Sequence, residues 1–251
     1  MSLHKAQAVV LRRIPGHEKD LVAHLLLDTG EQIYLRLHGI LASKNRSPLI
    51  AEPGSLIDID YYAATQERQE VSFKEGSVLK RHDRLKADYP SQTLLAKILL
   101  LSRLTSAGAT DVKTFQLAKA ALAFADDVLL YDKAPTSHQS EAFLIFLCIR
   151  CFSLMGLLGD TDHCANCNAT LSQKQQAVFG DGMFFLCHSC NPLADTVGFQ
   201  CSVEVSRALK NRYRNIQYNF ENIDEEVFLA LKAGIRRALA FTLPQAGQLF
   251  D

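Results

Sequence analysis

The sequence QIYLRLHGI, residues 32–40, alternates aliphatic side chains with polar or aromatic ones. Its odd positions from 33 to 37 are aliphatic, whereas its even positions from 34 to 38 are Tyr34, Arg36 and His38. Side chains at alternate positions of an extended chain lie on the same face. The pattern therefore predicts a β-strand with one face in a core and the other in solvent.

Similar runs surround this segment in the first eighty residues of the chain. Thr29-Gly30, between the second run and the third, is a hairpin signal. Five short strands in a flat sheet would leave one face and two edges uncovered, so we expect a small closed or nearly closed barrel. The other four runs are His4–Ile14, Asp20–Leu27, Ser55–Tyr62 and Val71–Leu79.

From Pro90 onward the apolar period becomes that of a helix. Leucine-rich and alanine-rich segments predict two helices between residues 90 and 125, and Glu141–Leu158 is apolar on nearly every face, as in the central helix of a bundle. Val203–Tyr213 and Asp224–Thr242 predict two more helices. The expected fold class is multi-domain α+β. The predicted domains are a barrel at 1–82, a helical domain at 83–159 and 201–251, and a cysteine-bearing insert at 160–200.

Composition excludes several classes of protein. The chain has 251 residues, with 27 Lys and Arg against 27 Asp and Glu, so it is not a polycation. A hydrophobic content of 48% argues against disorder throughout the chain. The longest unbroken apolar run, Ala142–Ile149, is far shorter than the ~20 residues of a membrane helix. The amino terminus has no secretory signal pattern, so we expect a cytoplasmic protein that does not bind membranes.

Four of the seven cysteines form the strongest chemical pattern. Two Cys-x-x-Cys pairs, Cys164/Cys167 and Cys187/Cys190, are nineteen residues apart, as in zinc ribbons. Four thiolates complete a tetrahedral shell, so we expect one structural Zn²⁺ per chain in a zinc-ribbon-like insert. The alternative is reduced, empty thiols or two disulfides.

Other potential metal ligands lie close to these cysteines in sequence. Four sulfurs already fill the zinc shell, so His163 and His188 are interpreted as bystanders. A third pair, Cys148/Cys151, lies inside the apolar helix and is interpreted as buried thiols.

Charge is uneven along the chain. Residues 1–50 carry seven basic and four acidic side chains, and residues 205–218 carry four basic and none acidic, with two tyrosines interleaved. Basic and aromatic side chains together suit a single-stranded nucleic acid, through phosphate contacts and base stacking. The same charges could equally belong to solvated surfaces. A third cluster, Lys80–Arg84, joins the barrel to the helices.

Catalytic motifs are missing from the sequence. It has no phosphate-binding Gly-x-x-x-x-Gly-Lys loop, no Gly-x-Ser-x-Gly and no His-Glu-x-x-His, so we expect no enzyme activity. Two carboxylate pairs, Asp126/Asp127 on a predicted helix surface and Asp58/Asp60 on a strand, leave open a metal-dependent nucleic-acid-processing enzyme. A protein-only adaptor is the third alternative.

Taken together, these segments resemble the RecO family of recombination mediators over most of the chain. The most specific part is the apolar helix followed by the two cysteine pairs. The resemblance rests on Ala8–Leu11 followed by a charged turn with Glu18, on Asp28-Thr-Gly30, on His38-Gly39-Ile40 leading into 43–47, and on 143–159 leading into Cys164-x-x-Cys167 and Gly182-x-x-x-x-Cys187-x-x-Cys190.

The resemblance implies an OB-fold barrel, an all-α helical bundle and a zinc module that act without bond chemistry. Such proteins bind single- and double-stranded DNA in the nucleoid, anneal strands, contact the acidic tail of single-stranded DNA-binding protein, and act with RecR to load RecA. Expected DNA contacts are Arg12, Arg13, Lys19, Arg36, Lys44, Arg46 and Arg81. Expected contacts to DNA or the acidic tail are Arg207, Lys210, Arg212, Tyr213 and Arg214. Tyr34 is a further stacking candidate.

Overall fold

Five strands open the chain and close into a barrel. They are β1 (Leu3–Pro15), β2 (Leu21–Leu27), β3 (Gln32–Leu37), β4 (Leu56–Tyr62) and β5 (Val71–Lys80). They pair in the order β1-β2-β3-β5-β4, and β1 pairs with both β2 and β4. All these pairings are antiparallel except that between β3 and β5, which is parallel.

The computed structural model describes most of the chain. The described residues are 2–64, 71–106, 111–131, 136–172, 177–179, 183–210 and 223–250, without the side chains of 247 and 248. Contacts divide the chain into two units, Met1–Ala134 and Pro135–Asp251.

Alternating side chains of the barrel strands build the core of the first unit. In the segment that predicts the fold, Ile33, Leu35 and Leu37 point inward and are buried, while Tyr34 is exposed. The five strands predicted from the sequence are therefore confirmed. The third is shorter than expected, because the chain leaves β3 after Leu37 and forms a 3-10 turn at Ile40–Ala42.

Two helices complete the first unit, α1 (Tyr89–Thr105) and α2 (Val112–Phe124). The carboxylate of Asp111 accepts the backbone N–H of Lys113 at 2.8 Å and so caps the start of α2. Gly30, at φ +87°, lies against the backbone of Asp111, where an added Cβ would collide. This close approach fixes the β2–β3 turn on the first turn of α2.

The first unit extends beyond the predicted barrel boundary at residue 82. Both helices contact β1. In addition, the Gln32 side-chain amide donates to the Arg103 carbonyl at 2.7 Å and to the Ser106 hydroxyl at 2.6 Å. The predicted division into three folding domains stays a prediction.

The described residues of the second unit form three α-helices and a short hairpin. They are α3 (Ser137–Leu154), β6 (Ala177–Phe179), β7 (Phe185–Cys187), α4 (Thr196–Lys210) and α5 (Glu225–Thr242). Helix α3 is buried from Ala142 to Phe152, as its apolar sequence predicts. Cys148 and Cys151 lie there as buried thiols, and burial raises the pKa of Cys148.

Two helix boundaries differ from the prediction. Helix α3 begins four residues earlier than expected, because Thr136 and Gln139 form a capping box, and it ends four residues earlier, shortly before the left-handed Gly156. Helix α4 begins at Thr196, inside the predicted insert, because the Asp195 carboxylate accepts the Gly198 backbone N–H at 2.7 Å. None of the described helices is long and apolar enough to cross a membrane.

Candidate functional site

The two Cys-x-x-Cys pairs meet at one point in the second unit. The four Sγ atoms of Cys164, Cys167, Cys187 and Cys190 lie within 4.8 Å of one another, and those of Cys167 and Cys187 are 3.5 Å apart. Zn–S bonds of ~2.3 Å in a tetrahedron place the sulfurs about 3.8 Å apart. The sulfurs are therefore close to the spacing of a four-thiolate site, and the predicted ligand set is brought together.

Backbone hydrogen bonds shape both cysteine pairs. The N–H of Asn168 donates to the Cys164 carbonyl at 2.9 Å, and the N–H of Cys190 donates to the Cys187 carbonyl at 3.0 Å. Cys187 also ends β7, opposite Ala177 in the antiparallel β6–β7 hairpin. The hairpin expected between the pairs is thus present, although its predicted turn, 180–182, lies outside the described residues.

Hydrogen bonds to sulfur favour the thiolate form of Cys164. For Cys167 the Ala169 backbone acts in the same direction, but hydrogen bonds with the other three thiols outweigh it and raise the pKa to about 12. Cys187 donates its backbone N–H to Cys164 Sγ, and the Asn166 side chain donates to Cys190 Sγ, both at 3.3 Å. Burial raises the pKa of Cys164, but backbone N–H groups of Cys167, Cys187 and Asn166 outweigh it and lower that pKa to about 6. A donor set that supplies thiolates suits a soft cation such as Zn²⁺.

The neighbouring histidines and the remaining cysteine have other partners. His163 Nδ1 lies 2.9 Å from the Asp160 carboxylate, and His188 Nδ1 lies 3.4 Å from the Ala194 carbonyl. Cys201 is buried, which raises its pKa to about 12, and its Sγ faces the Val227 carbonyl at 3.8 Å. Among the described residues, the four cysteines are the group placed to hold a metal.

A second candidate site lies on the barrel unit, at Arg12 and Arg13. A β-bulge between Val10 and Arg12 interrupts the alternation of β1, and both arginines are exposed. They line a groove of about 660 Å³ together with Arg103 of α1. Its floor is apolar and includes Leu11, Leu95 and Leu99.

We call Arg12, Arg13 and Arg103 the arginine rim. Within the described part of the chain, none of the three forms an ion pair with a carboxylate. Arg103 was not predicted from the sequence, because its place beside β1 depends on the packing of α1. A signal in the sequence was its position four residues after Leu99, which places the two side chains next to each other on one face of a helix.

Two predicted DNA contacts are held in ion pairs. Arg36 Nε lies 3.3 Å from the Asp20 carboxylate, and Arg81 Nε lies 3.3 Å from that of Glu52. The Gly39 backbone N–H is the main cause that lowers the pKa of Asp20. Burial acts in the opposite direction, and the neighbouring His38 and Arg36 lower the pKa further. These pairs must be broken or shared before either guanidinium binds phosphate.

The other predicted barrel cations are exposed but scattered. Lys19 follows β1 in the first turn, and Lys44 and Arg46 lie in the loop after β3. Arg46 packs over the Phe73 ring, 5.9 Å from its centroid. The structure therefore groups Arg12 and Arg13 and leaves the remaining predicted residues apart from that groove.

Two rings are stacked on the outer face of the barrel beside the arginine rim. His24 and Tyr34 have ring centroids 4.3 Å apart and planes 10° apart. His24 lies opposite Tyr34 across β2 and β3, and opposite Arg12 across β1 and β2. Burial lowers the pKa of His24, and the nearby Arg103 and Arg12 act in the same direction. His24 was not predicted from the sequence, since its partners follow from strand register.

The basic residues predicted in 205–218 are described only in part. Arg207 Nη1 is 2.6 Å from the Glu204 carboxylate, and Lys210 is exposed at the end of α4. Both line a cleft of about 360 Å³ whose apolar lining includes Leu171, Phe199 and Val203. Arg212, Tyr213 and Arg214 lie outside the described residues.

The carboxylate pairs have structural partners. Asp126 is buried, against the expectation of a helix surface, because it accepts the backbone N–H groups of Arg84 and Leu85 at 2.9 and 3.3 Å. Asp127 pairs with Lys80. Asp60 of the other pair lies 3.3 Å from Lys5 Nζ.

Known proteins support the family resemblance. No family model matches the chain. Two curated proteins, both named DNA repair protein RecO and from two strains of Leptospira biflexa serovar Patoc, are 28% identical to it over 198 residues. The alignment covers 77% of this chain and 74% of each relative. These matches support the resemblance of the chain to the RecO family.

Proposed function

We propose that this RecO-family chain is a non-enzymatic, DNA-binding recombination mediator that acts in DNA repair. It binds single- and double-stranded DNA, anneals complementary strands and, together with RecR, helps to load RecA onto strands covered by single-stranded DNA-binding protein. The similarity to proteins named for DNA repair supports this role. The observation that links the proposed DNA binding to specific residues of this chain is the arginine rim.

The barrel is proposed to be an OB-fold. Support comes from the strand order β1-β2-β3-β5-β4 and from the parallel pairing of β3 with β5. OB-folds bind oligonucleotides across strands 2 and 3 and the adjoining loops. In this chain, that face carries His24 and Tyr34, and Arg12 lies directly beside it in register.

The four cysteines are proposed to hold one structural Zn²⁺. Bound there, the ion would crosslink the two cysteine pairs and so stabilise the fold of the second unit. With all four positions taken by protein sulfur, the site leaves no coordination position for water or substrate. This arrangement favours a structural role over a catalytic one.

Phosphate-led binding can be tested by salt titration of a labelled single-stranded oligonucleotide. Neutralising phosphates releases counterions, so the association constant should fall linearly with salt on logarithmic axes. The double variant Arg12→Ala/Arg13→Ala should bind more weakly and show a shallower slope by about 1 to 1.5. Anisotropy at several salt concentrations measures both quantities.

A matched control removes two positive charges that are already paired. Arg81→Ala/Arg207→Ala changes net charge equally, but its guanidiniums face Glu52 and Glu204. We expect its DNA affinity and slope to stay close to wild type. Wild-type affinity that does not change with salt would contradict DNA binding through the arginine rim.

The cleft beside α4 favours a second partner. Lys210 and Arg207 flank an apolar lining, a combination that suits a peptide with carboxylates and large apolar side chains. The acidic tail of single-stranded DNA-binding protein has the expected charge. Competition between such a peptide and DNA distinguishes separate sites from a shared one.

The enzyme alternative receives less support. Asp126 already caps the backbone at residues 84 and 85, and Asp127 pairs with Lys80. Cleavage of labelled DNA with Mg²⁺ or Mn²⁺ that is abolished by Asp127→Asn would favour this alternative. A loss of partner binding but not DNA binding after charge reversal at Lys210 would favour the adaptor.

A further inference from the structure

We infer that the stacked rings of His24 and Tyr34 form a binding site for one unpaired nucleobase, and that Arg12 and Arg103 hold the phosphate next to it. The inference rests on the proposed DNA binding and deepens it. It assigns a ligand class, unpaired bases, to one position on the barrel.

The stack has a buried side and an exposed side. His24 is only 3% exposed, whereas Tyr34 is 58% exposed. The two rings are nearly parallel, so the imidazole supports one face of the phenol ring. The exposed phenol ring is the flat surface that an unstacked base requires, because every base offers a π-face.

Hydrogen bonds hold the supporting ring in place. Gln32 bonds to the His24 side chain. The same amide donates to the Arg103 carbonyl at 2.7 Å and to the Ser106 hydroxyl at 2.6 Å. The end of α1 therefore fixes the ring stack, and Tyr34 is ordered before any ligand arrives. A platform that is ordered in advance loses less conformational entropy on binding.

Two guanidiniums lie beside the stack. Arg12 is the cross-strand neighbour of His24, and neighbouring strands are about 4.8 Å apart. The charge of Arg103 also acts on His24 and, like that of Arg12, lowers its pKa. Neither arginine forms an ion pair with a described carboxylate, so both are available to a phosphate.

This combination selects single strands over duplexes. In a duplex the bases are paired and stacked on each other, so none can lie on Tyr34 without leaving the helix. The arginines alone would bind the backbone of either form. Tyr34 should therefore contribute to single-strand affinity and leave duplex affinity almost unchanged.

A tryptophan introduced at position 34 reports directly on stacking. The chain contains no tryptophan, so Tyr34→Trp creates a single fluorophore at the site. Titration with oligothymidylate should quench it saturably. Tyr89→Trp is the matched control, since Tyr89 is 81% exposed and lies at the opposite end of α1, about 21 Å from Arg103. Its fluorescence should not change in parallel.

Affinity measurements separate the ring from its hydroxyl. Tyr34→Phe keeps the stacking surface and should bind oligothymidylate like wild type. Tyr34→Ala should lose about tenfold in affinity for the single strand and less than twofold for a duplex of the same length. Circular dichroism melting checks that both variants fold.

Each outcome decides the matter. Quenching of the fluorophore in Tyr34→Trp together with a single-strand-specific loss in Tyr34→Ala supports the site. DNA binding by Tyr34→Trp without any quenching, or an equal loss on single and double strands in Tyr34→Ala, overturns the inference and leaves the proposed function standing. If the wild-type chain binds no DNA at all, both are wrong.

Discussion

His82 is a buried imidazole held by one hydrogen bond in a left-handed backbone conformation. Its Nδ1 donates to the Gly54 carbonyl at 2.7 Å, and its φ is +53°. Burial lowers its pKa below the ordinary value near 6.5. Below about pH 6.5, His82 therefore becomes protonated in the unfolded chain while it stays neutral in the folded chain. Its contribution to the stability of the fold is lost as the pH falls through the pKa of the folded state.

His82→Asn should remove that part of the acid sensitivity. Asparagine tolerates a left-handed backbone and offers an amide N–H to the same carbonyl. We expect near wild-type stability at pH 7.5 and a smaller drop in melting temperature between pH 7.5 and 5.5. The effect is partial, because His24 is shifted in the same direction. His17→Asn, on an exposed turn, should retain the wild-type pH dependence.

Cys187→Ser tests the metal at the residue scale. The change leaves three thiolates, so we expect less than one Zn²⁺ per chain and a loss of about 4 kcal/mol or more in unfolding free energy. Mass spectrometry for metal content and urea denaturation measure the two effects. Cys201→Ala, a buried thiol outside the cluster, should keep the metal. Full zinc occupancy in Cys187→Ser would contradict the four-thiolate site.

A site residue could be predicted from the sequence when the pattern that marks it lies within a few neighbouring residues. The four cysteines were predictable because two-residue spacing imposes the knuckle geometry wherever the pairs lie. The family resemblance implied Arg12 and Arg13 as DNA contacts, but it did not distinguish them from Arg36 and Arg81. The carboxylates of Asp20 and Glu52 pair with Arg36 and Arg81 only in the folded chain. The role of His24 could be recognised only from the register of β1, β2 and β3 in the folded barrel.

Among the structural elements, α4 depends on a glycine. Gly198 lies against the Ala177 carbonyl of β6, where a Cβ would collide with the backbone. On an exposed helix surface, Gly→Ala stabilises by about 1 kcal/mol. Here we expect Gly198→Ala to destabilise by about 1–3 kcal/mol, because α4 must move away from the hairpin.

The sign of that change is the test. Urea denaturation with zinc present gives the free energy of unfolding for Gly198→Ala and for Gln200→Ala, an exposed position of the same helix. The second variant should be neutral or slightly stabilising. A stabilising Gly198→Ala would mean that α4 does not pack closely on β6.

Element types were predictable, but several boundaries were not. Period-two alternation predicted the barrel strands, and the helical period predicted α1, α2 and α5. The start of α4 was placed seven residues late, because Val197 and Phe199 are the only large apolar side chains among residues 195–200 and the Asp195 cap is a single side chain. The end of α3 was extended into Met155–Leu158, whose apolar character continues after the helix has stopped.

For the molecule as a whole, balanced charge hides a local separation. Basic and acidic residues are equal in number. On the barrel, the arginine rim lines one groove, whereas Asp28, Asp58, Asp60 and Glu75 line a different cleft of about 610 Å³. Bound Zn²⁺ with four thiolates would add two net negative charges. The proposed DNA affinity would therefore come from the placement of charge, and we expect it to be modest without a partner.

The order of strand pairing has a kinetic consequence. Closure joins β1 to β4 and β3 to β5, so the barrel cannot close until residues near 80 are available. To form such distant pairings, the chain must lose the conformational entropy of the intervening loop before any contact stabilises it. Folding of barrels of this kind takes milliseconds to seconds, whereas isolated helices form in about a microsecond. During synthesis on the ribosome, we therefore expect β1 to β4 to have unpaired edges, and to be exposed to mispairing, until β5 is available.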